Sequence, residues 1–335
     1  MAKKSGKKAA KKTAKKKAGR RSRPKMDFHG QTVLFGWALS HFGVRDLKQF
    51  KERFQISPDS PGGIDERTGL HRFYETIASA LPTVGDGKVL PLDRLQAYEQ
   101  NILEHTQAIN TARVQHSEQA IEWKYHQYLA LLFTELFLDR YFDDAAALRD
   151  ELNGVIAAHN ERLGDATHPD WVRPYPTQPT GDDDGDPARQ LARLAFWCAT
   201  GSGKTLLMHM HIRQYKRYHG HAHSEGKWPK LDQVILVTPN DGLSQQHAQE
   251  LIWAGFDVVE VGEVGVDGLF ANQARKAVKI LSIHKVLTDL EIRNRREGGK
   301  KFETQGLIAE QMAGCNLVLV DEGHRGTGSG DDGNW

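Results

Sequence analysis

The stretch from Ala195 to Thr205, Ala-Phe-Trp-Cys-Ala-Thr-Gly-Ser-Gly-Lys-Thr, constrains this chain more than any other. An apolar segment, Leu194–Trp197, reads as a short strand. It runs into small residues and then Gly-Lys-Thr at the head of an amphipathic helix, expected over 204–218 with Gly220 as its stop. A strand, a glycine-rich turn and a helix in that order make a phosphate cradle. Successive backbone N–H groups of Thr200, Gly201, Ser202, Gly203, Lys204 and Thr205 can turn inward on an anion at the positive end of a helix dipole. Lys204 would reach the outer phosphates, and the Thr205 hydroxyl would bind Mg²⁺. The bland alternative is a turn that binds nothing. The order of the elements argues against it.

A second chemical anchor lies 117 residues beyond Lys204, at Asn316-Leu317-Val318-Leu319-Val320-Asp321-Glu322-Gly323-His324. Four apolar residues read as a buried strand, and two carboxylates emerge from its end. There Asp321 can hold a divalent cation and Glu322 can take a proton from an attacking water. An acidic turn after a core strand is common by itself. Paired with the Lys204 loop across alternating strands and helices, it is the arrangement a single nucleotide-binding domain needs.

That alternation runs from Leu194 onward. Strands are expected at Val234–Val237, Val258–Val261, Val278–Ile283 and Leu317–Val320, with helices at Leu243–Trp253, 270–277, 285–295 and 304–313. Such a pattern specifies an α/β fold, a parallel sheet with helices on both faces, with ligands bound at the carboxyl ends of the strands. The chain divides into a Lys-rich tail (1–25), a mainly helical region (26–163), a Pro/Gly/Asp-rich linker (164–189) and the α/β domain (190–335). In the helical region, Val33–His41 and Asp46–Phe54 form a first pair. A longer helix over Leu92–Ala112 presents Leu92, Leu95, Tyr98 and Ile102 on one face, and 123–142 is apolar enough all round to be central.

Charge is unevenly spread. The tail holds thirteen Lys or Arg and no acid, and removing those cations from the chain's net +2 leaves −11 for the body. Disorder is expected of the tail, with sequence-independent binding to nucleic-acid phosphates. A solvated tail contacting the acidic body, or a localisation signal, is an equal alternative. Cys198 and Cys315 do not suggest a disulfide framework, and no apolar run suits a membrane span or signal peptide, so a cytoplasmic protein is expected. The run His219-Gly220-His221-Ala222-His223 reads as an exposed loop and the acidic run 181–186 as a solvated one, neither having metal-ligand spacing.

Ala199–Thr205 resembles motif I of superfamily 2 helicases and translocases, with Cys198 where the general phosphate loop has a glycine. Asp321-Glu322-Gly323-His324 resembles motif II of the DEAD/DEAH-box group, with Gly323 in place of the usual Ala or Cys. Val234–Asn240 with Leu243, Gln246 and His247 resembles motif Ia, and Ser282-Ile283-His284 sits where a further backbone-contacting motif is expected. The resemblance covers about Gln190 to Gly326 and points to the type III restriction-enzyme Res-subunit kind. It implies a RecA-like domain that binds ATP and Mg²⁺. The implied catalytic residues are Lys204, Asp321 and Glu322, the metal ligands Thr205 and Asp321, and the nucleotide-state relay His324. Thr238, Pro239 and Asn240 are the implied contacts to DNA, RNA being possible, although Asn240 or Asp241 can equally be a helix cap. The glutamine such proteins use to hold adenine is Gln127 or Gln190.

No motif III to VI is present, and the chain stops 11 residues after His324. The expectation is therefore the ATP-binding half of an ATP-dependent helicase or translocase of restriction or phage defence. A second RecA-like lobe or partner subunit would supply an arginine, and the single chain would hydrolyse ATP hardly at all. The alternatives are a P-loop NTPase without helicase action, or a nucleic-acid-binding protein that works through its tail and carries a vestigial ATP site.

Overall fold

The computed structural model describes residues 32–57, 59–81, 89–178, 186–199, 201–260, 276–282 and 314–322. The tail, the helices expected at 285–295 and 304–313, nearly all of the one expected at 270–277, and both Thr200 and His324 lie outside these.

Among the described residues six helices come first: α1 (Val33–Ser40), α2 (Leu47–Arg53), α3 (Arg72–Ala80), α4 (Leu92–Gln115), α5 (Tyr125–Asp143) and α6 (Ala145–Leu163). Asp46 and Asp144 start α2 and α6 by accepting N–H bonds from the first turn. Gly164 ends α6 in the left-handed conformation that a glycine adopts without cost, φ 69°. The apolar face expected of α4 buries Leu95, Tyr98 and Ile102 and leaves Leu92 outside. Helix α5 is central as expected. Along it Tyr128, Leu131, Leu132 and Leu136 are buried in one cluster with Trp37, Phe42, Phe50, Phe54 and Trp123.

This cluster does not stop at the expected linker. It takes in Leu207, Met210 and Ala222 of α8 (Lys204–Ser224), the helix that follows the glycine-rich loop. The segment 165–178 is irregular but tied down. Asn153, His159 and Asn160 on α6 bond the backbone of Tyr175, Asp170 and Val172. It leads into a single turn, α7 (Pro187–Gln190).

Four parallel strands follow among the described residues: β1 (Gln233–Thr238), β2 (Val258–Glu260), β3 (Val278–Ser282) and β4 (Asn316–Val320), in the order β2-β3-β1-β4. Helix α9 (Asp241–Trp253) connects β1 to β2. In register, Leu236 of β1 lies between Ile280 and Leu319. The sheet is the parallel α/β architecture that the alternation implied, consistent with the RecA-like domain that the resemblance implied.

Three expectations are corrected. Leu194–Trp197 is not a strand: Phe196 stacks on His211 of α8 at 4.3 Å, and Leu194 and Cys198 pack on the helical cluster. These side chains are satisfied against α8 and the helical cluster, and the segment takes no place in the β2-β3-β1-β4 sheet. Strand β4 is not fully buried, because Leu317 and Leu319 face the sheet's core while the alternate positions Val318 and Val320 are 43% and 42% exposed. Finally, 219–224 is the end of α8 rather than a loop. His219 and Ala222 are buried on its inner face, His219 stacks on Tyr215, and Gly220 rides through the helix at a position where an added Cβ would meet open space.

Candidate nucleotide site

Because all four strands are parallel, their carboxyl ends gather at one edge. The chain leaves β1 for β2 and β3 on one side, then places β4 on the other, so the crevice lies beyond β1 and β4, where strand order switches. Val237 pairs with Val320, and the Asp321 N–H donates to the Val237 carbonyl at 3.0 Å. The carboxylates that follow β4 thus emerge beside the turn that ends β1.

The glycine-rich loop reaches the same crevice. Gly203 caps α8 with φ 87°, a left-handed conformation that strains any residue with a side chain, and a Cβ there would strike the Gln127 amide. Gln127 is itself part of the loop's support. Its Oε1 accepts the Lys124 N–H at 2.9 Å, closing the first turn of α5, and its Nε2 donates to the Ser202 carbonyl at 2.7 Å. Its amide is therefore engaged with the loop backbone rather than held open for a base. Gln190, the other candidate, donates to the Pro176 carbonyl at 3.2 Å. The buried Ser202 hydroxyl has no hydrogen-bond partner among the described residues.

The two chemical anchors meet. Lys204 Nζ donates to Glu322 Oε1 at 2.9 Å across 118 positions of sequence. This hydrogen bond to Glu322 is the main reason the Lys204 ammonium is held above its ordinary pKa. Glu322 has φ 53°, a left-handed value that costs a non-glycine residue roughly 1 kcal/mol or more and is found where a site imposes it. Asp321 is held below the ordinary carboxylate range, first by a hydrogen bond from His247 on α9. His247 Nε2 lies 2.9 Å from Asp321 Oδ2. An ammonium, carboxylates and the adjacent Thr205 hydroxyl make a set of hard donors and charge that suits a phosphate with Mg²⁺.

Thr238, Pro239 and Asn240 form the β1–α9 turn. Thr238 is buried, its hydroxyl 2.6 Å from that of Ser244, and Asn240 caps α9 by accepting the Leu243 N–H. Sequence reasoning quoted His247 without giving it a role. The signal was available, since His247 shares the spacing of the buried Ser244, Ala248 and Leu251 on the inner face of α9.

The parallel sheet, with the Gly-Ser-Gly-Lys-Thr turn at the head of α8 and the carboxylates closing β4 at its carboxyl edge, defines the class, a RecA-like α/β domain. The family model described as type III restriction enzyme, res subunit, matches residues 148–335, more than half of the chain. The chain belongs to that family, which is of the superfamily 2 helicase type. No match is found among curated proteins or among solved structures. Membership implies an ATP-dependent, helicase-like restriction subunit that acts on nucleic acid. No helix among the described residues is long and apolar enough to cross a membrane.

Proposed function

We propose that this chain is the ATP-binding part of a DNA helicase or translocase of restriction or phage defence, working in the cytoplasm. The observation that carries the reading is the 2.9 Å contact between Lys204 and Glu322, made at the switch point of a parallel sheet. In this reading the backbone amides from Thr200 to Thr205 cradle the β-phosphate of ATP and Lys204 meets the β- and γ-phosphates. Thr205 and Asp321 hold Mg²⁺, which supplies charge neutralisation to the phosphates. Glu322, released from Lys204 by the arriving triphosphate, accepts the proton of the attacking water. A second RecA-like lobe or partner subunit presents the arginine that stabilises the transferring phosphoryl group.

Gln127 serves the nucleotide through the loop, and His324 relays its state. The turn at Thr238, Pro239 and Asn240 faces the DNA backbone, with the buried Thr238 fixing its shape. A motor must bind DNA differently with and without nucleotide, and that coupling is reciprocal, typically about 5–150-fold. The test measures duplex DNA affinity with and without ATP–Mg²⁺, in the whole chain and in a form lacking residues 1–25. Nucleotide-dependent affinity in both, lost in Lys204→Ala, is the expected result. DNA affinity indifferent to nucleotide and carried by the tail alone would overturn the motor reading.

A further inference from the structure

Asp321 is held at both oxygens. Oδ1 accepts the Glu322 N–H at 2.9 Å, and Oδ2 is 2.9 Å from His247 Nε2. The first contact is local and follows from the backbone. The second comes from another element, reaching 74 positions along the chain from the inner face of α9.

His247 is only 3% exposed, and its Nδ1 is buried with no hydrogen-bond partner among the described residues. With hydrogen on Nε2 the ring donates to Asp321 and leaves at Nδ1 a lone pair. The opposite tautomer would bury an unpaired N–H and set two acceptors face to face, so the geometry selects Nε2–H. An imidazole is a poor choice merely to fill that space. Burying a polar nitrogen without a partner costs about 1–3 kcal/mol, which a leucine on the same apolar face would avoid. Among the described residues, the one hydrogen bond the His247 ring makes is to Asp321.

We infer that His247 is a positioning residue that fixes the Asp321 carboxylate for the cation accompanying the nucleotide. The inference rests on the reading of Asp321 as a Mg²⁺ ligand. His247 leaves one oxygen orientation available instead of several, so the cation meets a prepared carboxylate. It also ties that carboxylate to α9, which starts at the Thr238–Asn240 turn.

The test is ATP binding to the full chain, measured in Mg²⁺ and again in EDTA, for wild type, His247→Leu, His247→Gln and His247→Asn. The Gln side chain carries an N–H about where Nε2 lies, whereas that of Asn ends near Nδ1. Groups that orient a metal ligand typically contribute about 10–100-fold to metal affinity. His247→Leu should therefore lose roughly tenfold or more of the enhancement that Mg²⁺ gives to ATP binding, with affinity in EDTA unchanged. His247→Gln should restore much of it and His247→Asn little. An unchanged Mg²⁺ enhancement in His247→Leu would overturn the inference, as would equal behaviour of Gln and Asn, or loss of ATP binding in EDTA by all three. Wild type that binds no ATP in either condition would instead sink the underlying nucleotide reading.

Discussion

Helix α8 has two different environments along its length. Its first turn follows the glycine-rich loop, where Lys204 is 30% and its partner Glu322 21% exposed, and on the proposed reading an incoming anion replaces these contacts. About three turns on, the same helix enters a sealed polar network. Glu135 of α5, fully buried, accepts hydrogen bonds from Gln214 at 2.7 Å and Tyr218 at 2.7 Å on α8, and from Asn101 of α4 at 3.0 Å. Burial pushes its carboxyl up to about 7 in spite of those three donors. A second sealed carboxylate, Glu99, holds His71 and Tyr128. One end of the helix is therefore built to exchange partners and the other to keep them. The helical region is what anchors the nucleotide loop, both through this network and through the Gln127 bond to Ser202.

Glu135→Ala tests that contrast with the largest expected effect on stability. It removes the shared acceptor of Gln214, Tyr218 and Asn101 and opens a cavity, at a cost of about 3 kcal/mol in denaturant unfolding. A loss under 1 kcal/mol would show that the network is not what holds α8. Glu322→Gln is the opposite case. Stability should change little and ATP binding should persist or tighten, because phosphate no longer displaces a carboxylate from Lys204. Turnover in the assembled enzyme should fall roughly 10²–10⁴-fold through loss of the general base. Unchanged phosphate release would place the base elsewhere.

The smallest effect sharpens the comparison through pH. The folded-state pKa of Glu135 is raised, so its contribution to stability is full below the ordinary carboxylate range, near 4.5, and is lost as pH rises through about 7. Glu135→Gln should flatten that decline between about pH 4.5 and 7 in thermal unfolding. A wild-type slope in the variant would assign the pH dependence to other groups.

Much of the site was legible because its signals are local. Gly-Ser-Gly-Lys-Thr before a helix, and Val-Leu-Val before Asp-Glu, each specify backbone and chemistry within a few residues. β1 and α9 were equally readable from the run Val234–Val237 and the periodicity of Leu243–Trp253. What escaped was long-range. Periodicity marks apolar faces but does not say which polar side chains meet, so neither the Glu135 network nor the pairing of His247 with Asp321 could be read. The apolar segment 194–197 looked like a strand because nothing in its own residues reveals that His211 offers Phe196 a stacking partner. Gly220 looked like a helix stop because the buried face that carries α8 through it, His219 and Ala222, gains its partners only in the fold.

The central claim is that the Lys204–Glu322 pair is the resting form of a triphosphate site. Equilibrium titration of ATP–Mg²⁺ into the wild-type chain and Lys204→Ala tests it directly. If Lys204 is the cation that the β- and γ-phosphates meet, as proposed, wild type binds saturably and Lys204→Ala shows no measurable binding. Wild-type-like affinity in Lys204→Ala would contradict it.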